Sequence, residues 1–238
     1  MRHNIISFQN KVLKALSNKI DDFYLAGGTA LSLYYFHHRE SLDLDFFTKE
    51  FSRARIFEVA EFLSHSLKRK VELMAEESRK NRIKMLIWSI AIDKKSFLKV
   101  NFVQDYLGLI RPPKPVNGIK ILSLEDIYMR KIYAISGTTQ TTDLIGREIT
   151  QGGRQTAKDL FDLYCLSQIF MKLSDFSFKY GNQLLREGII RWFRTYSRMD
   201  MKTGLLELKL KKNVDYSEIE RHFKKEINEI IDKEVGFS

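Results

Sequence analysis

The chain has 238 residues, 44% of them hydrophobic and 29% charged, a balance typical of a globular protein with a sizeable core. Its single cysteine, Cys165, excludes an internal disulfide and any cysteine-based zinc site, and its apolar surroundings indicate a buried small side chain. No apolar run approaches the roughly 18 to 20 residues that span a bilayer, and no leader-like segment opens the sequence. We therefore expect a cytoplasmic protein with no membrane partner.

The formal net charge of +10 is concentrated in the first half of the chain, where residues 1–122 carry 21 Lys and Arg against 13 Asp and Glu. Two basic runs, 68–70 and 79–84, contribute much of this surplus. Such a density favours a polyanion such as RNA or a nucleotide phosphate. A solvated surface helix and hairpin would account for the same runs.

The first half of the chain alternates between helical and strand-like patterns. Apolar spacing predicts a helix over 3–18, a short strand in FYLAG, and a second helix from Gly28 in GTALSLYYF. The sequence LDLDFF alternates with a period of two and predicts a strand, and a third helix follows over 53–68. Three β-like runs come next, in KVELMAEE, RIKMLIWSIAI and FLKVNFVQ. The predicted order is αβαβαβββ, and the proline-rich RPPKPVNG is interpreted as an extended connector between two domains.

The second half is mostly helical in pattern. We predict helices over 124–136 and 157–171, separated by the polar segment GTTQTTDLIGREITQGGRQT, which is interpreted as a mobile loop able to close over a site. A final amphipathic helix is predicted to begin with Ser217 and Glu220 as a capping box. The fold class is thus α+β, with an α/β domain over residues 1–120 that holds a mixed sheet and flanking helices, and a C-terminal helical bundle over 121–238.

Two groups of polar residues flank the second predicted helix. Gly27 and Gly28 end a strand and open the helix, whose free N–H groups and positive dipole end would hold a phosphate, and Thr29 would add a hydroxyl. Gly-Gly is also a common tight turn and Thr a common first residue of a helix, and taken alone these residues favour that plain structural interpretation. Asp43 and Asp45 lie two apart on a strand, so both carboxylates project from one face, as suits a hard divalent cation or a solvated strand face.

The predicted topology brings these two groups together. A helix between the strands returns the chain antiparallel to the first strand, so the second strand can pair beside it. Asp43 and Asp45 would then lie near Gly28 and Thr29, with phosphate at one end and metal at the other. Between the groups, Arg39 and Ser41 are expected to tie the loop to the strand.

The motif GGTALSL followed by HHRESLDLDFF resembles the first motif of the abortive-infection nucleotidyltransferase toxins of AbiEii/AbiGii type, a branch of the polymerase-β-like nucleotidyltransferase superfamily. Two later blocks resemble further motifs of this family, in family order. The first is EDIYMRKIYAIS with Lys131, and the second is RQTAKDLFDLY with Arg154, Lys158, Asp159 and Asp162. The resemblance covers roughly residues 20–170.

The resemblance implies a nucleotidyltransferase-type sheet and transfer of a nucleoside monophosphate from an NTP to an acceptor hydroxyl, with Mg²⁺ or Mn²⁺. Asp43 and Asp45 would be catalytic and bind the metal. The implied nucleotide-binding residues are Gly27, Gly28, Thr29, Lys131 and Lys158. From the helical bundle, Lys131 would neutralise phosphate charge.

Asp159, also from the helical bundle, would be a further catalytic acid. It would either orient the acceptor hydroxyl or complete the metal shell. Asp162 is interpreted either as a site residue or as a helix cap or salt-bridge partner.

One position departs from the superfamily pattern. Many members place a third carboxylate on a later strand, where this chain has Asn101, and an amide is a poor substitute for an anionic Mg²⁺ ligand. Either Asp105 or Asp159 supplies that group, or two aspartates suffice, or the protein binds nucleotide without rapid turnover.

The resemblance also implies partners. The chain would be the toxin of a toxin–antitoxin or phage-defence pair, with a cognate antitoxin protein and with the 3′ end of a transfer RNA as acceptor. Two alternatives stay open at this stage: nucleotidylation of a protein hydroxyl, and a non-catalytic nucleotide- or RNA-binding module on the same scaffold.

Overall fold

The computed structural model describes residues 2–78, 83–93, 96–142, 146 and 148–236. The chain folds into two compact units. Unit 1 comprises Met1–Tyr35 and Ser41–Ser123, and unit 2 comprises Phe36–Glu40 and Leu124–Ser238. Three residues of the predicted basic run 79–84, Arg79, Lys80 and Arg82, lie outside the described residues.

Unit 1 is built on a mixed sheet with helices. Its elements are α1 (Arg2–Leu16), β1 (Tyr24–Leu25), α2 (Gly27–Ala30) continued by a π-helical turn (Leu31–Tyr35), β2 (Asp43–Thr48), α3 (Arg53–Leu67), β3 (Val71–Glu77), β4 (Met85–Ala91), β5 (Phe97–Gln104), β6 (Lys114–Val116) and β7 (Ile119–Ile121). The strands are ordered β3-β4-β5-β2-β1-β7-β6 across the sheet. The predicted order αβαβαβββ is confirmed for α1 to β5.

Strand β2 lies inside the sheet and is bonded on both sides. It pairs antiparallel with β1, where Leu25 lies opposite Phe46, and parallel with β5, where Asp45 lies opposite Asn101. Pairing on both sides fixes the register, and the register decides which side chains of β2 reach each face.

The core of unit 1 follows from strict alternation along the central strands. Leu44 and Phe46 of β2 are fully buried, and the Phe46 ring stacks on Phe102 of β5 at 5.7 Å between centroids. Helix α3 covers this face, and its Phe57 meets Trp88 of β4 edge to face at 4.9 Å. Each such buried apolar side chain contributes roughly 1.5–3 kcal/mol. The opposite face of β2 is thereby left to the two aspartates.

The proline-rich segment is part of the sheet, so its interpretation as a connector between domains was wrong. Strands β6 and β7 form a hairpin with residues 117 and 118 in the turn, and both turn residues have positive φ, as a two-residue hairpin loop of type I′ requires. Strand β7 then pairs parallel with β1. A boundary at residue 120 would cut β7, whereas the two units divide after Ser123.

Unit 2 is mostly helical. Its elements are α4 (Leu124–Ser136), β8 (Thr138–Thr142), β9 (Glu148–Gly152), α5 (Ala157–Ile169), α6 (Leu173–Tyr180), α7 (Gln183–Thr195), α8 (Arg198–Glu207) and α9 (Tyr216–Glu234). The helices predicted over 124–136 and 157–171 are confirmed to within two residues. No helix among the described residues is long and apolar enough to cross a membrane.

Within the segment between α4 and α5, strands β8 and β9 pair as a two-stranded antiparallel ribbon, where a loop was predicted. Strand β9 ends at Gly152, where a Cβ atom would lie 2.5 Å from the Cα atom of Trp192 on α7. Glycine at this position allows the ribbon to pack against the helix. The expectation that this segment closes over a site stays a prediction, and residues 143–145 and 147 of the segment lie outside the described residues.

The helices of unit 2 pack around aromatic side chains. Trp192 is fully buried and meets Phe223 of α9 edge to face at 5.7 Å. The N-cap of α9 is Asp215, whose carboxylate accepts the N–H of Ser217 at 3.3 Å. The predicted capping box of Ser217 and Glu220 was therefore displaced by two residues, because the aspartate is the better-placed acceptor.

Candidate active site

The predicted site residues fall into two groups, one in each unit. In unit 1, Asp43 and Asp45 are half-buried on the face of β2 opposite Leu44 and Phe46, as predicted from the alternation. Because β2 is bonded to a strand on each side, the two carboxylates are held on a rigid element rather than on a loop.

Gly27 is packed directly against Asp45. Its φ is +68°, and a Cβ atom at this position would lie 2.6 Å from Oδ2 of Asp45. The N–H of Ala26 donates to the carbonyl of Asp45 at 2.9 Å, which fixes the strand end beside the glycine. Both the backbone conformation and the available space thus require glycine.

The beginning of α2 presents its first N–H groups without a side-chain cap, because the N-cap residue Ala26 carries no side-chain acceptor. Phosphate binding by Gly27 and Gly28 is compatible with this arrangement and stays a prediction. Thr29 is different. Its hydroxyl is buried and hydrogen-bonded to Ser41 Oγ at 2.8 Å and to the carbonyl of Asp43. Thr29 therefore links α2 to the beginning of β2.

Asn101 stands beside Asp45 on the neighbouring strand. Its amide nitrogen donates to Asp45 Oδ1 at 2.7 Å, and its Oδ1 atom is buried with no hydrogen-bond partner among the described residues. Carboxylate and amide oxygens are the ligands that Mg²⁺ and Ca²⁺ take from proteins. Asp43, Asp45 and the free amide oxygen of Asn101 therefore form a donor set that fits a hard cation. The described residues contain no group of three or more His, Cys, Asp or Glu suited to a metal.

Asp105 does not supply the missing carboxylate. Its N–H donates to the carbonyl of Thr48, three residues beyond Asp45 along β2 and thus about 10 Å away at the rise of a strand. The carboxylate of Asp105 is buried, accepts the hydroxyl of Tyr24 and forms an ion pair with Lys49 at 3.2 Å. These contacts assign it to the structure of unit 1.

In unit 2, Lys131 of α4 lies between two aspartates of α5. Its Nζ atom is 2.7 Å from Oδ1 of Asp159 and 2.6 Å from Oδ2 of Asp162. All three residues are buried, with relative exposures of 7%, 2% and 0%. The family motifs that contain them thus meet at the contact of two helices.

The segment before β2 adds two further side chains to this group. Arg39 donates to both oxygens of Asp162, at 2.6 and 2.8 Å, and Nε2 of His38 lies 2.7 Å from the same carboxylate. Arg39 was expected to tie the loop to the strand, and instead it ties residues 36–40 to α5. This contact could not be predicted from residue spacing, because 123 residues separate Arg39 from Asp162.

We call this group the buried ion cluster, defined as the buried His38, Arg39, Lys131, Asp159 and Asp162 together with the exposed Arg154 at its edge. Burial alone would raise the pKa of Asp162, but Lys131 and Arg39 outweigh it and hold that pKa well below its usual range. Burial would likewise lower the pKa of Lys131, but Asp159 and Asp162 raise it above the ordinary lysine value. Asp162 and Lys131 therefore stay ionised at neutral pH.

Both oxygens of Asp159 are engaged. They accept from Lys131, from the guanidinium of Arg154 and from the hydroxyl of Thr156 at 2.9 Å. Burial would raise the pKa of Asp159, but Lys131 and Arg154 bring it below the ordinary value of an aspartate. Lys158, on the same helix, is exposed. Of the two interpretations of Asp162, the contacts support the salt-bridge partner. The roles of Lys131, Lys158 and Asp159 toward a nucleotide stay predictions.

Cys165 is buried beside the cluster, as predicted. Burial and the nearby charge of Asp162 raise the pKa of its thiol to about 12. A thiol that stays protonated at neutral pH is not an activated nucleophile.

Replacing Gly27 by alanine is expected to destabilise unit 1 by about 1–2 kcal/mol through the left-handed backbone alone, and to displace Asp45 by its added Cβ. The loss should appear as a lower urea midpoint and as lower transferase activity. The matched control is Gly108→Ala, where nothing lies within 4 Å of the new Cβ atom. Equal effects of the two substitutions would contradict the requirement for glycine at residue 27.

The fold resembles two solved structures from Helicobacter pylori. JHP933 is 17% identical, with 98% of this chain and 95% of that chain covered and a TM-score of 0.54. A candidate nucleotidyltransferase is also 17% identical, with 97% and 96% covered and a TM-score of 0.57. A search of curated protein sequences found no match. The fold is that of a nucleotidyltransferase.

The family is defined by a match over nearly the whole sequence. Residues 11–237 match the family described as "Nucleotidyl transferase AbiEii toxin, Type IV TA system". The chain belongs to this family. The resemblance noted in the sequence is confirmed, and the protein is an enzyme of the nucleotidyltransferase class.

Proposed function

We propose that this protein is a Mg²⁺-dependent toxin that transfers a nucleoside monophosphate from an NTP to a hydroxyl of RNA. One observation carries the proposal. Asp43 and Asp45 share one face of a strand bonded on both sides, and Gly27 approaches Asp45 so closely that no side chain fits between them. This arrangement leaves backbone N–H groups and two carboxylates side by side, as binding of a metal–triphosphate requires.

Asp43, Asp45 and Oδ1 of Asn101 would hold the cation, and Mn²⁺ would suit the same oxygen ligands. When bound, Mg²⁺ supplies charge neutralisation on the triphosphate and polarisation of the phosphoryl group under attack. The N–H groups of Gly27 and Gly28 would bind phosphate oxygens at the beginning of α2.

In the proposed reaction, the acceptor hydroxyl oxygen forms a bond to the α-phosphorus of the NTP. The bond from that phosphorus to the bridging oxygen breaks, and pyrophosphate leaves with the electron pair. The hydroxyl proton passes to water or to a carboxylate. Lys131 keeps its positive charge at neutral pH, but Asp159 and Asp162 neutralise it locally, so its implied contribution toward the phosphates, like that of the exposed Lys158, stays a prediction. Asp159, whose oxygens are engaged by Lys131 and Arg154, would hold that lysine in position.

An RNA acceptor, with a transfer RNA 3′ end as the particular case, is supported by the net charge of +10. Membership of a type IV toxin–antitoxin family supports a cognate antitoxin as a protein partner. The RNA acceptor and the NTP donor are also chemically alike, because both are nucleotides that carry ribose hydroxyls and phosphates.

The proposal is tested by incubating the protein with each of four α-labelled NTPs, Mg²⁺ and a cell extract separated into RNA and protein fractions. We expect label in the RNA fraction, in RNA of transfer-RNA length, and none after addition of EDTA. Label only in the protein fraction would instead support nucleotidylation of a protein hydroxyl. If no NTP gives label and growth inhibition survives Asp43→Ala, the chain is a non-catalytic binding module.

A further inference from the structure

A groove of about 510 Å³ lies between α7 and α9 in unit 2, and we call it the α7–α9 groove. Its charged lining consists of Arg194, Arg198, Arg221, Lys224 and one acid, Glu220. No residue of the buried ion cluster lines it. The groove is therefore a separate feature of unit 2, and the family motifs do not include it.

The cations of the groove are largely uncompensated. Glu220 is engaged by Arg198 at 2.8 Å, and the Arg198 guanidinium also lies over the ring of Tyr196 at 5.1 Å. Within the described part of the chain, Arg194, Arg221 and Lys224 have no carboxylate within ion-pair distance. All three are exposed. Three unpaired positive charges around one groove repel one another. An anion that binds there is attracted to each of them and relieves this repulsion.

The helical spacing extends this basic surface. Arg221 and Lys224 are three residues apart on α9, and Arg191 and Arg194 are three apart on α7, so each pair lies on one face of its helix. An adjoining groove of about 500 Å³ shares Arg194 and also contains Arg191. Of its carboxylates, Glu234 is paired with Arg186, whereas Glu187 accepts from the neutral amide of Gln183 and keeps its charge. Arg191 thus adds one cation beside Arg194, and Glu187 offsets part of that added charge.

We propose that the α7–α9 groove binds the phosphodiester backbone of single-stranded RNA. The inference rests on the proposed function, in which RNA is the acceptor. Three of the lining cations are arginines, whose planar guanidinium matches the geometry of a phosphate. The regular spacing along two helices suits a chain of phosphates better than a single nucleotide.

An acidic protein partner fits the groove less well. Protein interfaces have an apolar centre. Two of the apolar lining residues of this groove, Phe193 and Ile227, are buried at 7% and 3% exposure, and the third, Ile231, is half-buried, so no fully exposed large apolar side chain is left for a partner. Nucleic-acid sites are more positively charged than protein interfaces, which is the balance seen here.

The test measures binding of a 5′-fluorescein-labelled, mixed-sequence RNA of 12 nucleotides by fluorescence anisotropy, without NTP or metal. All proteins carry Asp43→Ala and Asp45→Ala, so that chemistry does not contribute. The groove variant adds Arg194→Ala, Arg221→Ala and Lys224→Ala. The control variant adds Lys202→Ala, Lys212→Ala and Lys225→Ala, which remove three exposed cations of unit 2 outside the groove.

We expect the groove variant to raise Kd on the order of tenfold and to reduce the slope of log K against log salt by about 2, at roughly 0.7 per phosphate contact on a single strand. The control variant should change Kd by less than about twofold. Lys224 lines the groove, whereas its neighbour Lys225 on α9 does not. A larger loss of binding in the groove variant than in the control variant would therefore show that the position of the cations, and not only their number, determines RNA binding. Thermal unfolding of both variants checks that the fold is retained.

Equal losses in the two variants would overturn the groove as an RNA site. So would tighter binding of a polyglutamate chain than of RNA, which would indicate an acidic protein partner, or full competition by ATP, which would indicate a nucleotide site. Failure of the proposed function would be seen separately from failure of the groove. If the unsubstituted protein labels no RNA while groove binding follows the expected pattern, the acceptor is wrong and the groove stands.

Discussion

Replacing Asp162 by alanine is expected to lower the free energy of unfolding of unit 2 by about 3–5 kcal/mol, because removing one partner of a buried ion pair leaves the other charges buried and unpaired. Asp162 is fully buried and accepts from Arg39, His38 and Lys131. The loss is therefore expected to exceed that at any exposed ion pair of the chain.

The measurement uses urea unfolding followed by tryptophan fluorescence. Each unit holds one of the two tryptophans, Trp88 in unit 1 and Trp192 in unit 2, so a Trp88→Phe background reports unit 2 alone. The matched control is Asp175→Ala, which breaks the exposed pair with Lys233 at 2.8 Å and should cost less than about 1 kcal/mol. Equal losses at the two positions would contradict a buried, ionised cluster.

The pH dependence gives an independent check of the same cluster. The folded pKa of Asp162 is lowered, so its contribution is complete above the unfolded value of about 3.9 and is lost as pH falls through the folded pKa. The folded pKa of Lys131 is raised, so its contribution is lost only as pH rises above about 10.4. Acid unfolding below about pH 4 should thus be shallower in Asp162→Asn than in the wild type.

The sheet and half of the site were predictable because they depend on local patterns. The alternation of LDLDFF fixed which face of β2 carries the aspartates, and the pairing with β1 followed from a helix between two strands. The two hairpins were missed for a physical reason. Pro115 excludes a central strand but is tolerated on the edge strand β6, and the threonines of β8 favour a strand even in a polar segment.

The buried ion cluster was not predictable from spacing alone. Asp159 and Asp162 are three apart on α5 and so share a face, which the sequence does indicate. Which basic residues meet that face is decided by tertiary contacts across 28 residues for Lys131 and 123 for Arg39. Periodicity shows that a helix has a face of a given kind, but it does not show which other element packs there.

Substituting Asp43 or Asp45 by asparagine is expected to lower kcat/KM for nucleotidyl transfer by roughly 10²–10³-fold, the effect of losing several kcal/mol of transition-state charge stabilisation. Each substitution keeps the shape of the side chain and removes one negative oxygen ligand. The control is Asp105→Asn, just after β5, whose carboxylate bonds Tyr24 and Lys49 and should affect stability rather than transfer. Transfer is measured with α-labelled NTP under conditions in which all variants are folded.

The pair of Asp45 and Asn101 allows a sharper form of this experiment, because the two side chains face each other across adjacent strands at 2.7 Å. Exchanging them, in Asp45→Asn with Asn101→Asp, keeps one carboxylate and one amide at the same place in the sheet. The exchange should raise activity at least about tenfold above that of Asp45→Asn. A hard cation needs an anionic oxygen ligand, and a carboxylate on β5 supplies that oxygen at nearly the same place as one on β2. Asn101→Asp alone should lower the Mg²⁺ concentration for half-maximal rate, and it should destabilise the metal-free protein because two carboxylates then repel. An Mg²⁺ dependence unchanged by Asn101→Asp, together with no recovery in the exchange, would place the cation away from β2 and β5.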